Sequence, residues 1–200
     1  MLAATAPKAV WYLTRGSGVV SLLLLTGTVI LGITTTVRWA TTRWPRFVVE
    51  GLHKNISLLA VVFLALHIVT AVGDGYVPLR WIDVVVPFGS QYQPFWVGLG
   101  AVAFDFLAAV IITSMLRVRV GHRVWQAVHW LAYACWPVAL LHGLGTGSDS
   151  SQPWMQLLDL TVVAAVAAAV CWRLAHSTDS GRRNAPLAGS SAPRTLVNSR

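Results

Sequence analysis

The chain has 200 residues, of which 56% are apolar and only 11% charged, against roughly 45 to 50% and about 25% in soluble globular domains. That composition excludes a disordered or fibrous chain and places the sequence among membrane proteins. The net charge of +8 rests on 15 Lys and Arg that fall in clusters between long apolar runs, so it bears on membrane topology and does not point to nucleic acid.

Five runs are long enough for a bilayer core that takes about 20 apolar helical residues to cross. The first is uncharged from Gly16 to Val37. Lys8 and Arg15 precede it as in a signal peptide, but it ends in TTTVRW and not in a small-residue cleavage site, so a permanent helix is expected. The second continues past Lys54 to Asp74, and Pro45 suits a first helical turn, which predicts a start near Trp44. The third spans Phe95 to Leu116 and is broken only by Asp105; the fourth runs from Val124 to Leu144; the fifth runs from Pro153 to Leu174, with Asp159 in its second turn. The expected fold is therefore all-α, an integral membrane bundle of five helices. Cys135 and Cys171 lie inside these runs, where thiols pack as small hydrophobes, and no disulfide framework is implied.

The connections differ in kind. The segment from Gly73 to Pro94 is poor in positive charge, contains WIDVVVPF, and is expected to lie over one face as a lid. The tail after His176 is rich in Ser, Gly, Pro and Arg with almost no apolar cluster, which predicts disorder, with its arginines near anionic lipid. The organisation read from this is an outer segment 1–15, a membrane domain 16–175 and a basic tail 176–200.

Orientation follows from the cations, because cytoplasmic loops carry the excess of Lys and Arg. With five spans, one side owns twelve of them, including Arg38, Arg43, Arg46, Lys54, Arg117, Arg119, Arg123 and Arg173, and the other owns only Lys8, Arg15 and Arg80. The N-terminus is thus expected outside and the C-terminus in the cytoplasm. Trp11, Trp81, Trp96 and Trp154 then fall at outer helix ends and Trp39, Trp44, Trp125 and Trp172 at inner ends, where amphipathic rings settle.

Four of the six histidines lie in two of the helices, His53 and His67 in the second and His129 and His142 in the fourth. A polar group inside a membrane is expensive and by default marks a site. At a rise of about 1.5 Å per residue, the first pair is separated by roughly 21 Å and the second by roughly 19.5 Å, which makes two levels across the bilayer. Both helices run from inside to outside, so His53 and His129 share an inner level and His67 and His142 an outer one. Two imidazoles facing each other at one level are what a bis-histidine haem requires. Azimuth agrees less well: at 3.6 residues per turn, fourteen steps return to within about 40° of the starting face, but thirteen miss by roughly 140°. Pro137 lies in that interval and can kink the helix.

The spacing, together with EGLHKNISLLAVVFLALHIVTA, AVHWLAYACWPVALLHGLGTGSD and the TSMLR that ends the third helix, resembles the ferric reductase-like transmembrane domain family over roughly residues 11 to 175. That family includes the membrane part of NADPH oxidases and ferric reductases and the haem-binding membrane subunit of the bacterial methionine sulfoxide reductase system. The resemblance implies two haems, His53 pairing with His129 on the inner one and His67 with His142 on the outer. Complete enzymes of the family carry a cytoplasmic domain for FAD and NADPH after the last helix. About 25 residues follow the fifth run here and no glycine-rich nucleotide fingerprint is present, so a subunit that depends on a separate reductase is expected.

Other residues have lesser claims. Arg46, Lys54 and Arg123 on the inner side and Arg15 on the outer are candidate partners for haem propionates through charge-assisted hydrogen bonds, although such cations also serve topology. Glu50 and Lys54 have the spacing of a surface ion pair. Asp105, near mid-membrane, is a candidate proton acceptor or hydrogen-bond partner of a haem histidine. His122 and His176 read as solvated residues. Trp136 and Phe63 lie between the two levels and could shorten an electron's path, and the glycines of GLGTG after His142 could form a small anion nest.

The function these features predict is transmembrane electron transfer by a b-type cytochrome with two haem b groups. A cytoplasmic flavoprotein reductase or a membrane quinol would reduce the inner haem, and the outer haem would deliver to an extracytoplasmic acceptor such as ferric iron, oxygen or a partner enzyme. A quinol-reactive subunit of a larger complex is one alternative. A haem-free proton or solute transporter is another, disfavoured because a relay needs closely spaced groups and not two levels about 20 Å apart.

Overall fold

A computed structural model describes residues 6–36, 45–75, 77–147 and 149–183, with side chains at 9–35, 45, 47–75, 77–147 and 149–175. Its elements, in order, are α1 (Ala6–Thr36), α2 (Arg46–Gly73), α3 (Trp81–Val85), α4 (Pro94–Met115), α5 (Arg117–Val120), α6 (His122–His129), α7 (Leu131–Thr146) and α8 (Pro153–Arg183). Five stretches are long and apolar enough to cross a bilayer: Ala9–Thr35, Phe47–Gly73, Pro94–Met115, His122–Thr146 and Pro153–Ala175. They coincide with the five runs of the sequence, and the protein is a multi-pass membrane protein of all-helical build. The fourth span is two helices in line, α6 and α7, interrupted at Trp130.

Proline sets several of the helix starts. Pro94 opens α4 after Gln93 turns the chain with φ 41°, and Pro153 opens α8. Pro45 stands one position earlier than expected: it is the N-cap of α2, with φ −67° and ψ 153°. Its carbonyl accepts from the Val48 N–H at 3.0 Å, so it satisfies an amide that the first turn leaves without a helical partner. Residues 37–44, which carry Arg38, Trp39, Arg43 and Trp44, lie outside the described residues.

The core forms where α1 meets α7 and α8. Leu22, Val29 and Ile33 of α1 pack with Trp136 and Leu140 of α7 and Val162 of α8. Hydroxyls within the spans are satisfied locally, as a bilayer demands: Ser17 Oγ donates to the Leu13 carbonyl at 2.6 Å and Thr26 Oγ1 to that of Leu22 at 2.7 Å. The Trp136 indole N–H donates to Thr26 Oγ1 at 2.9 Å and ties α7 to α1. Cys135 is buried with its thiol on the Ala103 carbonyl at 3.3 Å, as expected of a packing residue. Cys171, by contrast, is exposed on α8. Leu58, Val62, Leu157 and Leu160 are also exposed; such apolar surface would be a liability in water and is the lipid-facing side in a membrane.

α1 lies along α2, and α4 along α7; α2 and α7 make no extensive backbone contact. The molecule thus has a seam between two helix pairs. The segment between α2 and α4 docks on the start of α4 and does not hang free. Phe88, held at φ 64°, stacks on Phe95 with ring centroids 6.3 Å apart, and a side chain at Gly98 would run into the Phe88 ring. Asp83 staples the segment, accepting from the Arg80 backbone N–H at 3.0 Å and from its guanidinium at 2.8 Å. At the C-terminus, α8 continues to Arg183, past the boundary placed at residue 175; residues 184–200 of the tail lie outside the described residues.

Candidate functional site

The seam between α2 and the α6–α7 span holds the four intramembrane histidines. His53 faces His129 with ring centroids 6.5 Å apart, and His67 faces His142 at 6.4 Å. These are the pairs expected from the levels. The azimuthal mismatch on the fourth span is taken up between its two histidines, where the helix breaks at Trp130 and Pro137 removes an N–H from the ladder of α7.

Three of the four rings are anchored by backbone. Nδ1 of His67 lies 2.8 Å from the Thr14 carbonyl, Nδ1 of His53 lies 3.2 Å from that of Thr28, and Nδ1 of His142 lies 2.8 Å from that of Trp96. A carbonyl can only accept, so each of these Nδ1 atoms carries the proton, and the neutral ring leaves Nε2 with its lone pair free. His129 is the exception: its Nδ1 is buried and has no hydrogen-bond partner among the described residues. Its ring is stacked on Trp125 instead, with centroids 5.0 Å apart and planes 27° apart.

Glycines give the rings room. A Cβ at Gly18 would stand 2.9 Å from His67 Nδ1, and one at Gly100 would stand 2.7 Å from His142 Nδ1. At Gly32 the nearest atom, His53 Cε1, would be 3.7 Å away, an ordinary contact. Sequence reasoning missed these residues, yet a signal was present. Thr14 to Thr28, Gly18 to Gly32 and His53 to His67 are all the same fourteen-residue interval, because two antiparallel helices meet at the same two levels.

The other candidates are scattered. The Arg15 guanidinium is engaged by Asp149 at 2.9 Å and lies over the Trp11 ring at 4.8 Å. Arg123 and Lys54 are exposed, and the side chain of Arg46 lies outside the described residues. The expected Glu50–Lys54 pair is not formed: both side chains are exposed, and the ion pairs among the described residues are Arg15–Asp149 and Arg80–Asp83. Exposed pairs of this kind are worth only about 0 to 1 kcal/mol, too little to hold two long side chains together. Asp105 is half-buried on α4, and the anchored histidines bond to the carbonyls of Thr14, Thr28 and Trp96 and not to it. His122 is exposed, and His176 has its side chain outside the described residues. Trp136 is buried in the core and Phe63 is half-buried. GLGTG is not a nest: it is helical through Thr146, and Gly145 accommodates the Trp96 ring.

A groove of ≈ 210 Å³ lies between α2 and α4, lined by side chains that include Val61, Leu64, Ile68, Phe104, Leu107 and Ile111 and by no polar residue.

A family model described as "Ferric reductase like transmembrane component" matches residues 17–143. No curated protein and no solved structure gives a significant match to the chain.

Proposed function

The chain belongs to the ferric reductase-like transmembrane family, whose domains generally bind haem and carry electrons across membranes, and from that premise we propose that it is a b-type cytochrome with two haems. The observation that carries this reading is the pair of facing imidazole couples across the seam. Two imidazoles that would hold one metal ion between them must face each other with their rings a few ångströms apart, close enough for a nitrogen of each to reach it. The two couples stand at 6.5 and 6.4 Å. The carbonyl-anchored rings have the tautomer that leaves Nε2 free to ligate, which is the usual arrangement behind a ligating histidine. Thr28, whose carbonyl anchors His53, also has a buried Oγ1 without a hydrogen-bond partner among the described residues.

In this reading His53 and His129 hold the inner haem and His67 and His142 the outer one, while Gly18 and Gly100 keep the outer ligand rings in place. Haem supplies one-electron iron chemistry when bound. The chain fixes the two positions, dries the space between them with apolar side chains, and offers cations at the inner end. Arg46 and Arg123 are the proposed propionate partners there. Arg15 would share its guanidinium between an outer propionate and Asp149. The termini are proposed outside (N) and cytoplasmic (C) from the distribution of Lys and Arg.

A cytoplasmic flavoprotein reductase, the general kind of partner for domains of this family, is the proposed donor, and the acceptor is extracytoplasmic. The quinol alternative needs a polar head-group site beside the inner histidines. A transporter reading leaves the matched couples without a purpose.

The test is an absorption spectrum of purified, haem-supplemented protein with and without dithionite, with haem quantified per chain. Two acid-acetone-extractable haems are expected, since the chain has no Cys-x-x-Cys-His attachment motif. H53A and H129A should each remove the same haem, and H67A and H142A the other. Absence of a Soret band, or loss that couples His53 with His142, would overturn the reading.

A further inference from the structure

His129 differs from the other three histidines in what holds it. Its Nδ1 has no hydrogen-bond partner among the described residues, and its ring lies against Trp125 at a centroid distance of 5.0 Å and an interplanar angle of 27°. Trp125 is fixed in its turn. Its indole N–H donates to Ser114 Oγ at 3.2 Å, and the Arg117 guanidinium covers the ring at 4.2 Å. On the solvent side, the exposed His122 ring stands 5.6 Å from the indole centroid. A continuous series of aromatic rings therefore leads from an exposed histidine, through a half-buried tryptophan, to an intramembrane imidazole. Among the described residues, the rings of the other three histidines have aromatic contacts only with their facing histidines.

We propose that Trp125 is the residue through which electrons reach the inner site, and that Arg117, Arg119, Arg123 and His122 around it form the surface that receives a reduced flavin donor. The inference rests on the reading that His129 is a haem ligand. The flavin is favoured by the chemistry of the surface. An isoalloxazine ring is planar and aromatic, so it can stack on an exposed ring edge. It is carried with a phosphate, which arginine forks bind. Arg117, Arg119 and Arg123 are all exposed within seven residues of one another, and no acidic residue lies between Asp105 and Asp149 to offset them.

The electron balance is simple. A two-electron-reduced flavin releases its electrons singly and gives its protons to water. One at a time, they would reduce the iron of a haem held by His53 and His129, the first moving on toward the outer site before the second arrives. The indole undergoes no net change and acts as the contact that shortens the distance between donor and ligand. By stacking on His129 it also holds that ring in place, so Trp125 is a positioning residue for that ligand.

The test compares W125L and W125F with the wild-type, haem-loaded protein. Stopped-flow reduction by photoreduced free FMN is the rate readout. Electron paramagnetic resonance of the ferric inner haem, which senses the orientation of the ligand planes, is the readout independent of turnover. W125L should slow reduction by FMN at least tenfold and shift the inner signal, with W125F between the two. A second arm leaves Trp125 intact. In a C171S background, a bulky maleimide on R117C, over the indole face, should slow reduction at least fivefold. The same label on V118C, at a position that is 98% exposed, should not. Wild-type rates in a W125L protein that retains both haems would overturn the proposal. So would equal rates for the two labelled proteins, whether or not W125L retains its haem. Failure of the haem reading would show separately, as a wild-type protein without a Soret band.

Discussion

A methyl group at Gly100 tests the seam most directly, because its consequence follows from how closely the His142 ring approaches α4. The Cβ of G100A would stand 2.7 Å from His142 Cε1 and Nδ1 and 3.1 Å from Nε2, where ordinary contacts lie at about 3.5 to 4.0 Å. To restore them, the ring must retreat by roughly 1 Å, and the 2.8 Å bond from Nδ1 to the Trp96 carbonyl does not survive such a shift. Overpacking costs about 1 to 3 kcal/mol and the lost hydrogen bond about 1 kcal/mol, offset by about 1 kcal/mol of helix propensity gained when Gly becomes Ala. The net of about 1 to 3 kcal/mol falls on His142, so in the proposed reading the outer haem should be held roughly 5- to 150-fold more weakly. G18A, at 2.9 Å from His67 Nδ1, should act in the same direction. G32A meets His53 only at 3.7 Å and should be neutral or slightly stabilising. The assay is haem loss to an excess of a haem-scavenging apoprotein, followed at the Soret band. The expected order of loss is G100A, then G18A, then G32A level with wild type, and the haem lost from the first two is the one removed by H67A. Wild-type retention in G100A, or G32A as the weakest of the three, would refute the claim that these glycines make room for the ligands.

Three further outcomes are expected. Hydrogen bonds from Arg80 hold the Asp83 carboxyl below its ordinary value of 3.8, so its contribution to the docked segment is complete above that value and is lost as pH falls through the lowered one; limited proteolysis of residues 77–93 should therefore speed up at acid pH in wild type but show no such step in D83N. T26V should lower the unfolding temperature, because it leaves the Trp136 indole N–H without its 2.9 Å acceptor, a buried orphan worth about 1 to 3 kcal/mol; T26S should restore it, and a wild-type transition for T26V would refute the role of that bond. Charge reversal at Arg117, Arg119 and Arg123 should slow reduction by an acidic flavoprotein at low ionic strength and abolish its salt dependence; equal rates at all salt concentrations in both proteins would remove the docking surface.

The sequence was most legible where the bilayer constrains it. The bilayer satisfies no backbone polar group, so each crossing must be helical over a minimum length, even where, as at Trp130, the helix is briefly interrupted. The five runs therefore predicted the five spans with shifts of only a few residues at most ends. Histidine is costly there, so His53, His67, His129 and His142 stood out, and the rise of a helix alone assigned them to two levels. Surface chemistry was less legible. The Glu50–Lys54 spacing predicted a pair that is not formed, since exposed charges gain too little to order their side chains. Cys171 read like Cys135, although one faces outward and the other packs on Ala103, because composition does not tell which side of a helix meets a neighbour.

The sequence by itself determined the all-helical class, the number of spans and the heights of the four histidines, because these depend on hydropathy and on rise per residue, which are properties of one helix at a time. Only the tertiary structure decided that the thirteen-residue interval on the fourth span still turns both rings into the seam, through a break at Trp130 that no local propensity announces. It also decided which carbonyl anchors each ring, that glycines on α1 and α4 stand against His67 and His142, and that His129 leans on Trp125 instead. Those are contacts between helices, and they depend on how each helix is rotated about its axis, which is set by packing against neighbours.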